Sequence, residues 1–261
     1  MKTIRKIMVY FILFLVLSGA GIWLFMQQAV FGAEPEGTRL ERIKKSQNYR
    51  EGSFKNQSFT PDLAEGVTYW DILKAYLAKS VDREPTQALP SVKTNLKTLI
   101  SEEPAVVWFG HSSYLIKLAG KTILIDPVFS GNASPVSFFG KNYEGSNVYT
   151  AEDFPNIDLL VLTHDHYDHL DYATVTALRS GVKKVVTALG VGAHLEKWGY
   201  DSTQIQELDW QEEIVLDSTL TLTALPARHF SGRGFKRNQT LWASYMLRSP
   251  NYSIYIGGDS G

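Results

Sequence analysis

The chain has 261 residues, with 26 Lys and Arg against 27 Asp and Glu and a formal net charge of −1. That balance excludes broad electrostatic attraction to nucleic acid. There is no cysteine, which removes disulfides, thiolate metal sites and a cysteine nucleophile together, while 44% hydrophobic content supports one large domain plus an appendage.

Lys2, Arg5 and Lys6 precede an uncharged apolar run from Ile7 to Met26. A helix of about 20 such residues spans a bilayer. The competing interpretation is a cleaved signal peptide. Against it, the run exceeds the usual apolar region of about 7–15 residues. Phe31-Gly32-Ala33 also puts a bulky residue where a cleavage site needs a small one. We expect an uncleaved single-pass anchor through 7–26, within an N-terminal segment 1–33. The basic flank keeps the N-terminus cytoplasmic and puts the rest of the chain outside. Arg39, Arg42, Lys44 and Lys45 pull against that orientation.

Residues 34–104 are expected to be a linker and N-terminal arm with one helix. Residues 34–66 are polar, with little periodicity. Tyr69 to Lys79 has helical spacing, with Tyr69, Trp70, Leu73, Tyr76 and Leu77 on one broad face. Such a stripe ordinarily packs against a core; its place after the anchor also suits a membrane surface. Pro85 and Pro90 break the chain.

Strands begin near Ala105, where a domain 105–261 is expected. Val106–Phe109 is one; Tyr114–Leu118 and Thr122–Ile125 form a hairpin across Ala119-Gly120. Residues 130–147 form a long Gly-, Ser- and Asn-rich loop. Leu159–Leu162 reads as a buried strand. A helix from Asp171 to Arg179 follows, then a strand at 184–187 and a short helix at 191–198. Strand pairs are expected at 213–216 with 219–225, and at 241–247 with 253–256. Strands with interspersed helices fit two sheets with helices outside.

The chemistry centres on Thr163-His164-Asp165-His166-Tyr167-Asp168-His169-Leu170-Asp171, where three of the six histidines fall together at a strand end. His164 and His166 are two apart, so in an extended segment they face the same way and can grip one ion. Asp168 and His169 reach a neighbouring ion. Imidazole plus carboxylate suits zinc, and iron or manganese also fit. The alternative is a solvated polar loop. His229 and Asp259 also stand at strand ends; on spacing alone they are a structural histidine and a turn aspartate. His111, in Gly110-His111-Ser112-Ser113, is expected to support a ligand or touch substrate, not to bind metal itself. Asp126 is a candidate acceptor for the second N–H of a ligating histidine. His194 is expected to be structural.

His-x-His-x-Asp-His after an apolar strand resembles the signature of the metallo-β-lactamase superfamily. Gly110–Ser113, Ile125-Asp126-Pro127, Leu208-Asp209-Trp210, Arg228-His229, Thr240-Leu241-Trp242 and Gly257–Gly261 extend the likeness over about residues 36–261. Their order resembles the N-acylphosphatidylethanolamine-hydrolysing phospholipase D branch and its bacterial membrane-linked relatives. The resemblance implies an α/β fold, an αββα sandwich after one transmembrane helix. It implies that His164, His166 and His229 hold one Zn2+, that Asp168 and His169 hold a second, and that Asp259 bridges both. The branch continues past Gly-Gly-Asp-Ser-Gly to a further histidine ligand, so part of the sandwich is expected beyond Gly261.

The implied chemistry is hydrolysis of a membrane phosphodiester by a metal-activated hydroxide, with Asp168 as proton acceptor and His111 toward the substrate. Hydrolysis of lactones or sugar-phosphate lactones is the alternative enzyme reading. A membrane-tethered metal-binding protein without turnover is the non-enzymatic one. The expected partners are a small-molecule or phospholipid substrate and the membrane, not nucleic acid.

Overall fold

The computed structural model describes residues 2–78, 84–101 and 103–260. Helix α1 (Lys2–Met26) buries none of its residues. It is long and apolar enough to cross a membrane. Helix α2 (Gly37–Lys45), the short hairpin β1 (Tyr49–Arg50) and β2 (Ser53–Phe54), and helix α3 (Tyr69–Leu77) follow.

Two sheets form the body. In chain order the first comprises β3 (Ala105–Gly110), β4 (Ser113–Leu118), β5 (Lys121–Ile125), β6 (Leu159–Leu162), β7 (Val185–Ala188) and β8 (Ile205–Leu208). β3, β4 and β5 are antiparallel, whereas β5 through β8 run parallel. The parallel crossovers carry α4 (Tyr172–Leu178) and α5 (Gly192–Lys197). Every residue of β6 and β7 is buried, which explains their unbroken apolar runs. The second sheet is antiparallel. It contains β9 (Glu213–Asp217), β10 (Leu220–Leu225), β11 (Ser244–Arg248) and β12 (Ser253–Ile256), in spatial order β12-β11-β10-β9. Leu220, Leu222 and Ala224 of β10 alternate inward as a half-buried strand requires. The buried Tyr245 of β11 ties the sheets together by donating to the Leu162 carbonyl at 3.1 Å.

Most expected elements are present to within a residue or two. Lys79 lies outside the described residues. Residues 241–243 do not pair as strand. Their backbone instead bridges, Leu241 N–H to Leu189 O and Ala243 N–H to Thr163 O. β8 escaped the sequence reading, because Ile-Gln-Glu-Leu shows no apolar alternation; it is recruited by pairing with β7.

The larger correction concerns the arm, which holds two helices and a hairpin where a linker with one helix is expected. Ile43 of α2 and Phe54 of β2 are fully buried in the main core. Arg39 ion-pairs with Glu207 of β8 at 3.0 Å and with Glu196 of α5 at 2.8 Å. One buried apolar residue in each of these short elements gives no periodicity to read, yet each packs into the core. α3 is the reverse case: its spacing is helical and Thr68 caps it, but none of its residues is buried.

Ile43→Ala should therefore cost about 2–5 kcal/mol, the range for a core isoleucine. Leu73→Ala on α3 should stay within about 0.5 kcal/mol. Urea unfolding of the two variants checks this; an unchanged midpoint for Ile43→Ala would return the arm to a loose linker.

Candidate metal centre

Five strand ends converge on one edge of the sandwich. β6 delivers the histidine loop, β5 delivers Asp126, the β3–β4 turn delivers His111, β10 leads to His229, and β12 leads to Asp259. Two of these residues take left-handed backbone angles unusual for side-chain-bearing residues, Asp126 at φ 40° and His111 at φ 45°. Gly258 is left-handed too, at φ 59°, and a Cβ there would lie 2.9 Å from Thr163 Cβ. Only glycine lets the chain after β12 lie this close to the histidine loop and bring Asp259 in.

Asp126 organises the centre. It is wholly buried, and Oδ1 accepts the Thr163 backbone N–H at 2.8 Å. Oδ2 accepts the Thr163 hydroxyl at 2.6 Å and faces His169 Nδ1 at 2.8 Å. Because the Thr163 proton goes to Asp126, the Thr163 oxygen is left to accept from His164 Nδ1, 3.0 Å away. Both histidines thus carry a proton on Nδ1 and turn Nε2 into the site.

His164 Nε2 then meets His166 Nδ1 at 3.0 Å, and His229 Nε2 meets the same His166 nitrogen at 3.2 Å. Burial, with neighbouring imidazoles adding repulsion, holds His164 well below the ordinary histidine pKa and lowers His229 to about 4. Burial also lowers His166. Three neutral imidazoles aimed at one another are a donor set for a cation. On the other side, His169 Nε2 is buried and makes no aligned hydrogen bond, although Asp259 Oδ1 lies 3.1 Å away. Burial opposes a charge on His169, but the bond to Asp126 and the nearby Asp259 carboxylate push its pKa up to about 10. Asp259, which favours a proton on Nε2 there, could equally share a metal ion with it.

Ligand atoms gather in three groups: His164, His166 and His229; His111, Asp168 and His169; His164, His169 and Asp259. The first brings together the three histidines that the resemblance groups on one ion. The third puts Asp259 beside both His164 and His169. In the second, His111 Nε2 lies 3.1 Å from Asp168 Oδ2, so its ring is as well placed for a metal as for a substrate. Burial would raise the Asp168 carboxyl, but the bond to His111 and the charge of His169 bring it down to about 2.

His194 is structural, as expected. Its Nδ1 accepts from the Ala33 N–H at 3.0 Å, so Nε2–H donates to Asp165 at 3.2 Å. The sequence reading passed over Asp165, which points away from His164 and His166 and also accepts from Gly232 N–H at 2.7 Å and Thr240 Oγ1 at 2.8 Å. The signal was its place between two same-facing histidines, since alternation in an extended segment sends it inward. Asn56 was missed as well. Its side chain bonds both the N–H and the carbonyl of His229, at 3.1 and 2.9 Å, and holds that histidine from the arm.

Residues 121–261 match the Beta-lactamase superfamily domain. The chain belongs to the β-lactamase superfamily. The superfamily's fold is the one described above, a mixed α/β sandwich with its histidine loop at the strand ends. An uncharacterised protein of Mycobacterium tuberculosis is 38% identical over 253 residues, 93% of this chain and 66% of its own length. The N-acyl-phosphatidylethanolamine-hydrolyzing phospholipase D 1 of Caenorhabditis elegans is 34% identical over 169 residues, 59% of this chain and 46% of its own. The chain thus spans just under two thirds of the first of these relatives and about half of the other. Among solved structures, CmlA, a diiron β-hydroxylase from Streptomyces venezuelae, aligns at TM-score 0.46 and 26% identity, over 62% of this chain and 30% of its own.

Two outcomes follow from the geometry. Asp126→Asn should lower metal affinity about 10–100-fold in chelator competition, because the His169 and His164 tautomers lose their acceptor. For the chelator-treated chain, stability should peak near pH 6.5. His164, His166 and His229 bind protons more weakly folded than unfolded, so their contribution is present above about 6.5 and falls as pH drops below it, for His229 through about 4. His169, raised to about 10, contributes below about 6.5 and loses that as pH rises toward 10. Urea midpoints across that range test the shape.

Proposed function

We propose that this protein is a membrane-tethered, metal-dependent hydrolase of phosphodiesters, with glycerophospholipids as the substrate class. The observation that carries this reading is the pair of donor clusters sharing one edge of the sandwich, with Asp259 between them. His164, His166 and His229 would hold one ion, and Asp168 and His169 the second, with His111 beside them. The donor set of imidazole and carboxylate favours zinc, and iron or manganese suit it as well. Two ions there supply water activation near neutral pH and charge neutralisation at phosphoryl oxygens.

This chain's residues do the rest. Asp168, ionised at neutral pH, accepts a proton or orients the attacking water. His111 stands on the more open side, its side chain about half exposed, where it can donate to a phosphoryl oxygen. Asp126 and Thr163 keep the buried imidazoles in one tautomer. The choice of phosphodiester is supported by the likeness to the phospholipase D of Caenorhabditis elegans. A substrate in the bilayer suits the apolar α1, which would hold the domain beside lipid headgroups and raise their local concentration. We place the domain outside the cytoplasmic membrane, from Lys2, Arg5 and Lys6 ahead of the span.

The test is product analysis by mass spectrometry on mixed micelles of N-acylphosphatidylethanolamine and phosphatidylcholine, beside a lactone panel. Phosphatidic acid is the expected product, and His164→Ala with His166→Ala should abolish it together with bound metal. Lactone turnover more than about tenfold faster, a barrier difference of about 1.4 kcal/mol, would replace this reading with the lactonase one.

A further inference from the structure

We infer that the cleft beside His229 opens onto the bilayer surface and receives the anionic headgroup of a membrane lipid, with the loop Gly232–Arg237 seated at the interface. This rests on the reading of α1 as a transmembrane anchor and adds which face of the domain meets the membrane.

The junction between anchor and domain is stapled. Trp198 Nε1–H donates to the Ala29 carbonyl at 2.8 Å, and Lys197 Nζ donates to the Gly32 carbonyl at 2.6 Å. Arg233 donates to the Val30 carbonyl through Nε at 3.1 Å and through its terminal nitrogen at 2.8 Å. The same Arg233 reaches back to the carbonyls of Asp165 and Leu170 in the histidine loop, at 2.8 and 2.7 Å. The domain therefore cannot swing freely about residues 27–33. The last residue of α1 packs on the loop: a Cβ on Gly234 would sit 3.0 Å from Met26 Cε. Wherever α1 leaves the bilayer, this loop lies at the exit.

Its side chains suit that place. Phe235 is 82% exposed, with Lys236 and Arg237 following it. An exposed aromatic beside basic residues fits the headgroup region. Arg237 also lines a cleft of about 760 Å³ that reaches His229, and the arm forms its opposite wall. Arg50, Lys55, Arg228 and Arg237 face this cleft against Glu51 and Asp62. Asp62 neutralises Arg237 in part, at 3.4 Å, and Glu51 lies 3.8 Å from Lys55. The balance stays positive, and Arg228 stands exposed next to the ligand His229. Phe230 and Phe59 provide apolar walls for glycerol and acyl stubs. A phosphate entering from the bilayer would pass these cations before reaching His229.

The chain's lack of cysteine allows clean spin labelling of the full protein in vesicles. Nitroxides are placed by Leu13→Cys in α1, Phe235→Cys in the loop and Ser218→Cys in the β9–β10 turn as the aqueous reference. Their accessibilities to oxygen and to a water-soluble nickel complex are compared. The Phe235→Cys ratio should lie toward that of Leu13→Cys. It should shift further toward lipid when phosphatidylcholine vesicles receive about 30% phosphatidylglycerol. Arg228→Gln with Arg237→Gln should remove that added shift, and lysine at both positions should restore it. A Phe235→Cys ratio equal to Ser218→Cys, with Leu13→Cys in lipid, overturns the inference and leaves the anchor intact. Leu13→Cys in water overturns the anchor itself. A phosphatidylglycerol shift that survives the glutamine pair removes the lipid headgroup from the cleft.

Discussion

A carboxylate with no solvent exposure sits at the end of β5, and the rest of the centre depends on it. An unpaired charge in that position would cost several kcal/mol. Asp126 avoids the cost by accepting from Thr163 twice and from His169 once. Those bonds also determine which nitrogen of His164 and of His169 keeps its proton. A histidine without such a partner can present either nitrogen; with it, both rings present the same one to the site. The left-handed backbone at Asp126 is the local strain that such an arrangement requires, of order 1–3 kcal/mol.

A second buried carboxylate faces the opposite way and does different work. Asp165 lies between His164 and His166 in sequence, but its bonds run to His194, Gly232 and Thr240. His194 in turn is held by Ala33, and Arg233 joins the Asp165 backbone to Val30. A single alternating segment therefore places metal-type donors on one side and attachment to the N-terminal region on the other. The geometry of the centre and the attachment of the segment after α1 are consequences of the same few residues.

The arm contributes through isolated contacts, not through a continuous apolar face. Ile43 and Phe54 plug the core, Arg39 spans to α5 and β8, and Asn56 grips the backbone of His229. α3, the segment with the clearest helical spacing, is the one that packs least. Periodicity reports amphipathic character, and an amphipathic helix is not obliged to find a protein partner.

What the sequence by itself determined is local. Leu159–Leu162 ran unbroken because a parallel strand covered on both faces needs it, and the histidine loop followed directly from that strand's end. His164 and His166 were legible because alternation sends residues two apart to the same side. His229, Asp259 and Asp126 were legible as strand-end residues, and only the resemblance pointed to the first two as metal-binding candidates. The tertiary structure alone decided which nitrogens face inward, that Asp165 belongs to the scaffold, that His111 stands within reach of the second cluster, and that a polar arm completes the wall beside His229. Each of these depends on contacts between residues far apart in the chain. Side-chain spacing within one segment carries no information about what another segment brings to it.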